Sequence, residues 1–175
     1  MGFDKKRKSK LDKKDIILII IVTGIILIDQ IIKIIISNIG EVAIIPGILN
    51  FKISQNISAA YGIGSNSTIM YVLTNLVILG VIFKFIRTQN EYVDMKMKVF
   101  LSFILAGGIS NVIDRVFRGY VLEFIDFKEL INLPVFNIAD LFILTGWICV
   151  AAIFAYFTVN EWKNKKTEKN TRRSK

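Results

Sequence analysis

The stretch IILIIIVTGIILIDQIIKIII, residues 16–36, decides the architecture of this 175-residue chain. Its apolar run is broken only in the second half, by Asp29, Gln30 and Lys33. A helix of about 20 apolar residues crosses the roughly 30 Å of hydrocarbon in a bilayer, where backbone groups must find their hydrogen bonds within the segment. The stretch therefore predicts a transmembrane helix, and it is too long for the core of a cleaved secretory signal.

Three more stretches have a comparable length and hydropathy, at about 68–86, 97–115 and 138–159. Hydrophobic residues make up 53% of the chain and the mean hydropathy is +0.54, values that exclude an ordinary water-soluble domain. We expect four membrane spans within residues 16–159, flanked by basic tails at 1–15 and 160–175.

The distribution of lysine and arginine predicts the orientation in the membrane. Each tail holds seven and the loop 87–98 holds three, whereas the loop 37–67 holds one and the loop 116–137 holds two. Because cytoplasmic flanks accumulate lysine and arginine, we expect both termini inside and the two longer loops outside. The net charge of +9 thus reflects topology and argues against a nucleic-acid partner.

The two outer loops carry signals of local structure. The first mixes β-branched residues with Pro46, Gly47 and Gly62, which is typical of short strands and turns. The second is apolar enough to contact the bilayer or the first loop. The predicted fold is an all-α integral membrane protein, with four transmembrane helices and a small extracytoplasmic β-sheet between spans 1 and 2.

Composition excludes several kinds of catalysis. The chain has no histidine, and its single cysteine, Cys149, lies inside the fourth apolar stretch. Ser-His-Asp and Cys-His catalysis, histidine-ligated zinc and an intrachain disulfide are therefore excluded, and no metal or cofactor is expected.

Two aspartates are predicted to meet at the outer face of the membrane. Span 3 runs outward and ends near Asp114, while span 4 begins outside near Asp140. Each is preceded by an asparagine three residues earlier, Asn111 and Asn137, and residues three apart share one face of a helix. Ionisable residues within a span cost several kcal/mol, so those that remain are candidates for function.

Two neighbouring carboxylates share a proton, so that one acts as a base and the other as an acid. An Asp114–Asp140 pair could activate a water molecule for attack on a peptide carbonyl and then protonate the leaving amine. From topology and spacing alone, a purely structural pairing between helices is an open alternative. Asp29 and Lys33, four residues apart in span 1, are similarly predicted to form an ion pair or to face a ligand.

Five short motifs lie in order along the chain: DQIIK at 29–33, NISAAYG at 56–62, AGGISNVIDR at 106–115, GYVLEFI at 119–125 and FNIAD at 136–140. Together they cover most of the chain. In this set the chain resembles the lipoprotein signal peptidases, or type II signal peptidases, which are membrane aspartyl endopeptidases of bacteria.

The resemblance implies a catalytic dyad of Asp114 and Asp140, supported by Asn111 and Asn137. It further implies that four residues shape the site and hold the substrate: Asp29, Lys33, Asn56 and Arg115. The expected reaction is removal of the signal peptide from diacylglyceryl-modified prolipoproteins, before the lipidated cysteine, at the outer face of the cytoplasmic membrane. Four helices capped by a β-cradle, contact with membrane lipid and inhibition by globomycin-type peptides are also implied.

The chain departs from the family pattern at several positions. Ser58 and Ser110 stand where glycine is usual, Gln55 where arginine is common, Glu123 where aspartate is usual and Leu141 where a small polar residue is typical. Added side chains at the glycine positions are expected to crowd close backbone approach. Two alternatives remain at this point, a noncatalytic paralogue that binds lipopeptides and a small polytopic transporter.

Overall fold

A computed structural model describes residues 12–57, 67–88, 93–127, 130–131 and 133–173 of the chain. Most of the expected N-terminal tail and the Ser58–Gly62 part of the outer-loop motif lie outside the described residues.

Four long helices dominate the described structure and confirm the predicted class of fold. Their length and apolar composition are sufficient to cross a membrane. Asp12 caps the first helix in a reciprocal arrangement with Asp15, and Gly40 ends it at a φ of 84°. The helices are α1 (Lys13–Ile39), α2 (Ser67–Arg87), α3 (Met95–Arg118) and α4 (Ile138–Arg173).

Helix α3 is the centre of the bundle, because α1, α2 and α4 all pack against it. Glycines permit the closest approaches. A Cβ atom on Gly107 would collide with the carbonyl oxygen of Ala139 in α4, and one on Gly146 would lie 2.5 Å from Cγ1 of Ile104. Close packing between membrane helices depends on such small residues, since lipid gives helices no hydrophobic reason to associate.

The outer surface of the bundle is apolar, as lipid requires. Large hydrophobic side chains such as Ile20, Val77 and Phe154 are each more than 60% exposed. At the end where α1 begins and α2 ends, Asp15 and Arg87 form an ion pair of 3.2 Å, which shows that these helix ends are neighbours. Successive helices therefore alternate in direction.

A three-stranded antiparallel sheet lies at the opposite end of the bundle. The strands are β1 (Val42–Ile45), β2 (Leu49–Asn56) and β3 (Val121–Asp126), in the order β1-β2-β3. The third strand comes from the loop between α3 and α4, so the prediction of a sheet built between spans 1 and 2 was incomplete. The expected contact between the two outer loops is this β2–β3 pairing.

The sheet is attached to the helices through a small apolar core. Phe124 of β3 packs with Ile36 of α1, and its ring meets that of Phe51 edge to face at a centroid distance of 5.6 Å. Phe136, just before α4, forms a β-bridge with Ile125. The sheet and the start of α4 are consequently fixed relative to the outer ends of α1 and α3.

Helix α4 continues to Arg173, well beyond the apolar part of its sequence. The basic segment after residue 159 is thus helical as far as Arg173, which composition alone did not indicate. Lys166 in this extension lies over the ring of Trp162, with Nζ 5.2 Å from the ring centroid.

Replacing Gly107 with alanine is expected to destabilise the bundle by about 1–3 kcal/mol, because the added methyl group would force α3 away from α4. Gly80→Ala is the matched control, since a Cβ atom there meets open space. Thermal unfolding of both purified variants in detergent checks the prediction. Equal melting temperatures for the two variants would contradict it.

Candidate active site

Lys33 lies at the centre of a fully buried polar cluster. Its Nζ is 2.6 Å from Oδ2 of Asp29 and 2.7 Å from Oδ2 of Asp114, and all three side chains have no exposed surface. The sequence prediction of an Asp29–Lys33 ion pair is thereby confirmed. Because Lys33 also bridges to Asp114, the cluster joins α1 to α3 in a region where an unpaired charge would be very costly.

Asp29 connects this cluster to the start of α4. Its Oδ1 accepts a hydrogen bond from the backbone N–H of Ala139 at 2.9 Å, and its Oδ2 accepts one from the Ser110 hydroxyl at 2.7 Å. Ser110 therefore does not merely crowd the α3 backbone, as its departure from the family pattern suggested. Its hydroxyl satisfies a buried carboxylate.

Every hydrogen-bonding position of Asp114 is occupied by a donor within the protein. Its Oδ1 accepts from the side chains of Gln30, at 2.9 Å, and Arg118. Its Oδ2 accepts from Lys33 and from the backbone N–H of Leu122, at 3.1 Å. A carboxylate that accepts hydrogen bonds from two cations, an amide and a backbone N–H has no free lone pair for water.

Asp140 has a different environment at the first turn of α4. Its Oδ1 accepts from Nδ2 of Asn111 at 2.8 Å, and its Oδ2 accepts from the backbone N–H of Asn137 at 3.1 Å. The Asn137 side-chain oxygen caps α4 by accepting from the Asp140 N–H at 2.9 Å. Asp140 remains partly exposed, unlike Asp114.

The two predicted supporting asparagines form one network. Nδ2 of Asn137 donates to Oδ1 of Asn111 at 3.1 Å and to the carbonyl oxygen of Leu122 at 3.2 Å. Oδ1 of Asn111 also accepts from Lys33 at 3.3 Å. Asn111 thus links the buried cluster to Asp140, and Asn137 links α4 to strand β3.

Glu123 is the second partly exposed carboxylate of the site. It is the only residue in β3, all of which the structure describes, that is not fully buried. Its Oε1 accepts from Nδ2 of Asn56 at 2.7 Å. Burial raises the pKa of Glu123 above the ordinary glutamate value, and the neighbouring Asp140 carboxylate raises it further, against the opposing effects of Asn56 and Arg115.

Arg115 completes the partly exposed group. Its guanidinium interacts electrostatically with both Asp140 and Glu123. It lies over the ring of Tyr71 in α2, with Cζ 5.6 Å from the ring centroid, and its Nη1 makes a long hydrogen bond of 3.5 Å to the backbone oxygen of Asn111. A partly exposed cation that can bind a carbonyl oxygen therefore acts electrostatically on both carboxylates.

The structure separates the predicted site residues into two groups. Asp29, Lys33 and Asp114 are buried and fully bonded, while Asp140, Asn111, Asn137, Asn56 and Arg115 line or support the partly exposed group. Asp114 and Asp140 lie at the same end of the bundle, as the topology predicted. The carboxylate that shares the exposed side with Asp140 is Glu123.

Sequence reasoning did not assign a role in the site to Gln30, Ser110, Arg118 or Tyr71, and it treated Glu123 only as a departure. Gln30 stands inside an apolar run and Arg118 follows Asp114 by four residues, so both had a detectable signal. Glu123 also had a signal, since it lies in the GYVLEFI motif where aspartate is usual. Tyr71 had none, because its contact is with a distant segment.

This arrangement defines a class of protein, a multi-pass membrane hydrolase in which carboxylates perform the acid–base chemistry. Residues 20–157 match the family model described as signal peptidase (SPase) II. The chain belongs to the signal peptidase II family, and it is a membrane aspartic-type signal peptidase. The predictions of family, fold and enzymatic function are confirmed, and neither the noncatalytic paralogue nor the transporter receives support.

Individual relatives cover most of the chain. It is 37% identical over 140 residues to a lipoprotein signal peptidase of Clostridium novyi (strain NT), covering 76% of this chain and 93% of that protein. It is 31% identical over 156 residues to one of Staphylococcus aureus, covering 86% and 94%. A solved bacterial membrane enzyme superposes with a TM-score of 0.73 at 30% identity, covering 82% of this chain and 90% of that one.

Lys33→Met is expected to destabilise the protein by about 3–5 kcal/mol, because it leaves two buried carboxylates without their shared cation. Lys84→Met is the matched control, since Lys84 lies exposed in the last turn of α2. Unfolding of the purified proteins in detergent provides the measurement. The proposed importance of the cluster fails if the two substitutions cost the same.

Proposed function

We propose that the catalytic pair of this peptidase is Asp140 and Glu123. The observation that carries the proposal is exposure: both carboxylates are partly accessible and electrostatically coupled, and both lie near the cation of Arg115. Asp114, the partner predicted from the sequence, has no exposed surface and four donors around its two oxygens. We infer that Asp114 stabilises the site without reacting.

The surroundings of the two carboxylates suggest their roles. Asp140 accepts hydrogen bonds from Asn111 and from the Asn137 N–H, and it lies at the N-terminus of α4; these contacts favour its ionised form, against the opposing effect of its burial. Asp140 then serves as the general base that removes a proton from water. Glu123, whose pKa is raised by burial, is the group that carries a proton.

The reaction follows from these roles. Asp140 takes a proton from water as the water oxygen bonds to the scissile carbonyl carbon, while Glu123 gives its proton to the carbonyl oxygen. Collapse of the tetrahedral intermediate breaks the C–N bond as one of its hydroxyl protons returns to Glu123, and the proton held by Asp140 passes to the leaving amine. Arg115 is positioned to bind a carbonyl oxygen of the substrate.

We further propose that the substrates are diacylglyceryl-modified prolipoproteins, cleaved before the lipidated cysteine. Relatives named lipoprotein signal peptidase support this assignment. The site lies between helix ends and the sheet, and we propose that a membrane-embedded signal peptide leaves the bilayer at this depth. The bacterial relatives support a bacterial cytoplasmic membrane location. The distribution of lysine and arginine supports an orientation with both termini inside and the site at the outer face.

Asp140→Asn and Glu123→Gln are each expected to lower the rate of cleavage of a diacylglyceryl prolipoprotein by roughly 10²–10⁴-fold, which is the usual contribution of a positioned acid or base. Both variants should still fold. The measurement is a gel-shift assay with purified, detergent-solubilised protein, with and without globomycin as the expected inhibitor. Glu41→Gln, at an exposed carboxylate before β1, is the matched control and should retain full activity.

Asp114→Asn separates the two candidate pairs. We expect it to lower stability by about 1–3 kcal/mol, because Lys33 and Arg118 lose a charged acceptor, with activity remaining in the folded fraction. If folded Asp114→Asn protein were as inactive as Asp140→Asn while Glu123→Gln stayed active, the pair predicted from the sequence would be correct.

The raised pKa of Glu123 predicts the pH dependence of cleavage. A general acid must be protonated, so kcat/KM should fall as the pH rises through the pKa of Glu123. Asn56 donates to the ionised form and lowers that pKa, so Asn56→Ala should move the alkaline limb to higher pH. An alkaline limb that stays in place or moves to lower pH would contradict this role.

A further inference from the structure

Tyr71 in α2 contacts the site through the guanidinium of Arg115. The guanidinium carbon lies 5.6 Å from the centroid of the Tyr71 ring, which is the distance of a cation–π contact. Both side chains are partly buried, so the contact is partly shielded from water. No role in catalysis follows for Tyr71 from the motifs in the sequence.

The position of Arg115 is physically unusual. Its charge interacts with Asp140 and Glu123. Among the described residues, however, Arg115 forms an ion pair with neither carboxylate. Its one described hydrogen bond, to the Asn111 backbone oxygen, is 3.5 Å long and therefore weak. A guanidinium in direct contact with a carboxylate typically forms a bidentate ion pair, and the described ion pairs give Arg115 no such contact.

The Tyr71 ring attracts the Arg115 guanidinium away from the two carboxylates. The negative face of an aromatic ring binds a guanidinium without transferring a proton or occupying a carboxylate oxygen. Packing of α2 on α3 sets the position of this ring, because Leu79 fills the space above Gly108, where a Cβ atom would lie 2.6 Å from the leucine. The Tyr71 carbonyl also accepts from Nδ2 of Asn75 at 2.8 Å.

We propose that Tyr71 is a positioning residue, which holds the Arg115 guanidinium beside the Asp140–Glu123 pair and prevents it from closing onto either carboxylate. The Arg115 donors then remain free for a substrate carbonyl, and both carboxylates remain free for water. This inference rests on the proposed catalytic pair.

Tyr71→Leu and Tyr71→Phe provide the test. In Tyr71→Leu the guanidinium is expected to move onto the carboxylates, which lowers kcat about tenfold, the effect of losing one cation–π contact. The closer positive charge of Arg115 stabilises ionised Glu123 and lowers its pKa, so the alkaline limb of the pH profile should move to lower pH. Tyr71→Phe keeps the ring face and should restore both the rate and the profile.

The double variant Arg115→Met/Tyr71→Leu tests whether Tyr71 acts by positioning Arg115 or by supporting the fold in general. If Tyr71 acts through Arg115, then Tyr71→Leu should cause no further loss of activity in the Arg115→Met background. This comparison is made within one folded background, so a change in stability does not obscure it. Tyr156→Leu, at an exposed tyrosine in α4, serves as the control for loss of a membrane-facing ring.

Three outcomes would overturn the inference: a wild-type rate and pH profile in Tyr71→Leu, equal losses in Tyr71→Leu and Tyr71→Phe, or additive losses in the double variant. Failure of the catalytic pair itself is recognised separately, because Glu123→Gln would then retain activity in the same assay.

Discussion

The ion pairs of Lys33 with Asp29 and Asp114 are the constraint on which the rest of the site depends. Three charges without exposed surface are stable in this bundle only if their distances and hydrogen bonds are maintained. The donors that complete the cluster come from α3, from the first turn of α4 and from β3. The same contacts therefore set where α4 begins and where β3 crosses the bundle, and these two elements carry Asp140 and Glu123.

The chemically similar carboxylates of the site have different surroundings. The two oxygens of Asp114 accept from two cations, an amide and a backbone N–H, all within the protein. Glu123 has one described side-chain donor, Asn56, and its burial favours the protonated form. A pair of titratable groups with different environments is what acid–base hydrolysis requires.

Much of the fold could be predicted from sequence, because lipid imposes a simple rule on backbone hydrogen bonding. The four apolar stretches, their alternating directions and the grouping of functional residues at one end all followed from hydropathy and charge. The third strand was missed, since Val121–Asp126 pairs with residues some 70 positions away and its burial conceals the alternation of a half-exposed strand. The helical extension of α4 was missed because a polar, basic composition does not distinguish a helix from a coil.

The sequence by itself favoured carboxylates as the groups that carry the chemistry, since histidine is absent and Cys149 lies in an apolar run. It also determined the family through ordered motifs, and it placed Asp114 and Asp140 at one end of the bundle. Only the tertiary structure decided which carboxylates water can reach. That property depends on donors contributed by α1, β2 and β3 to residues far away in the chain, and no local pattern around Asp114 or Glu123 records whether such donors are present.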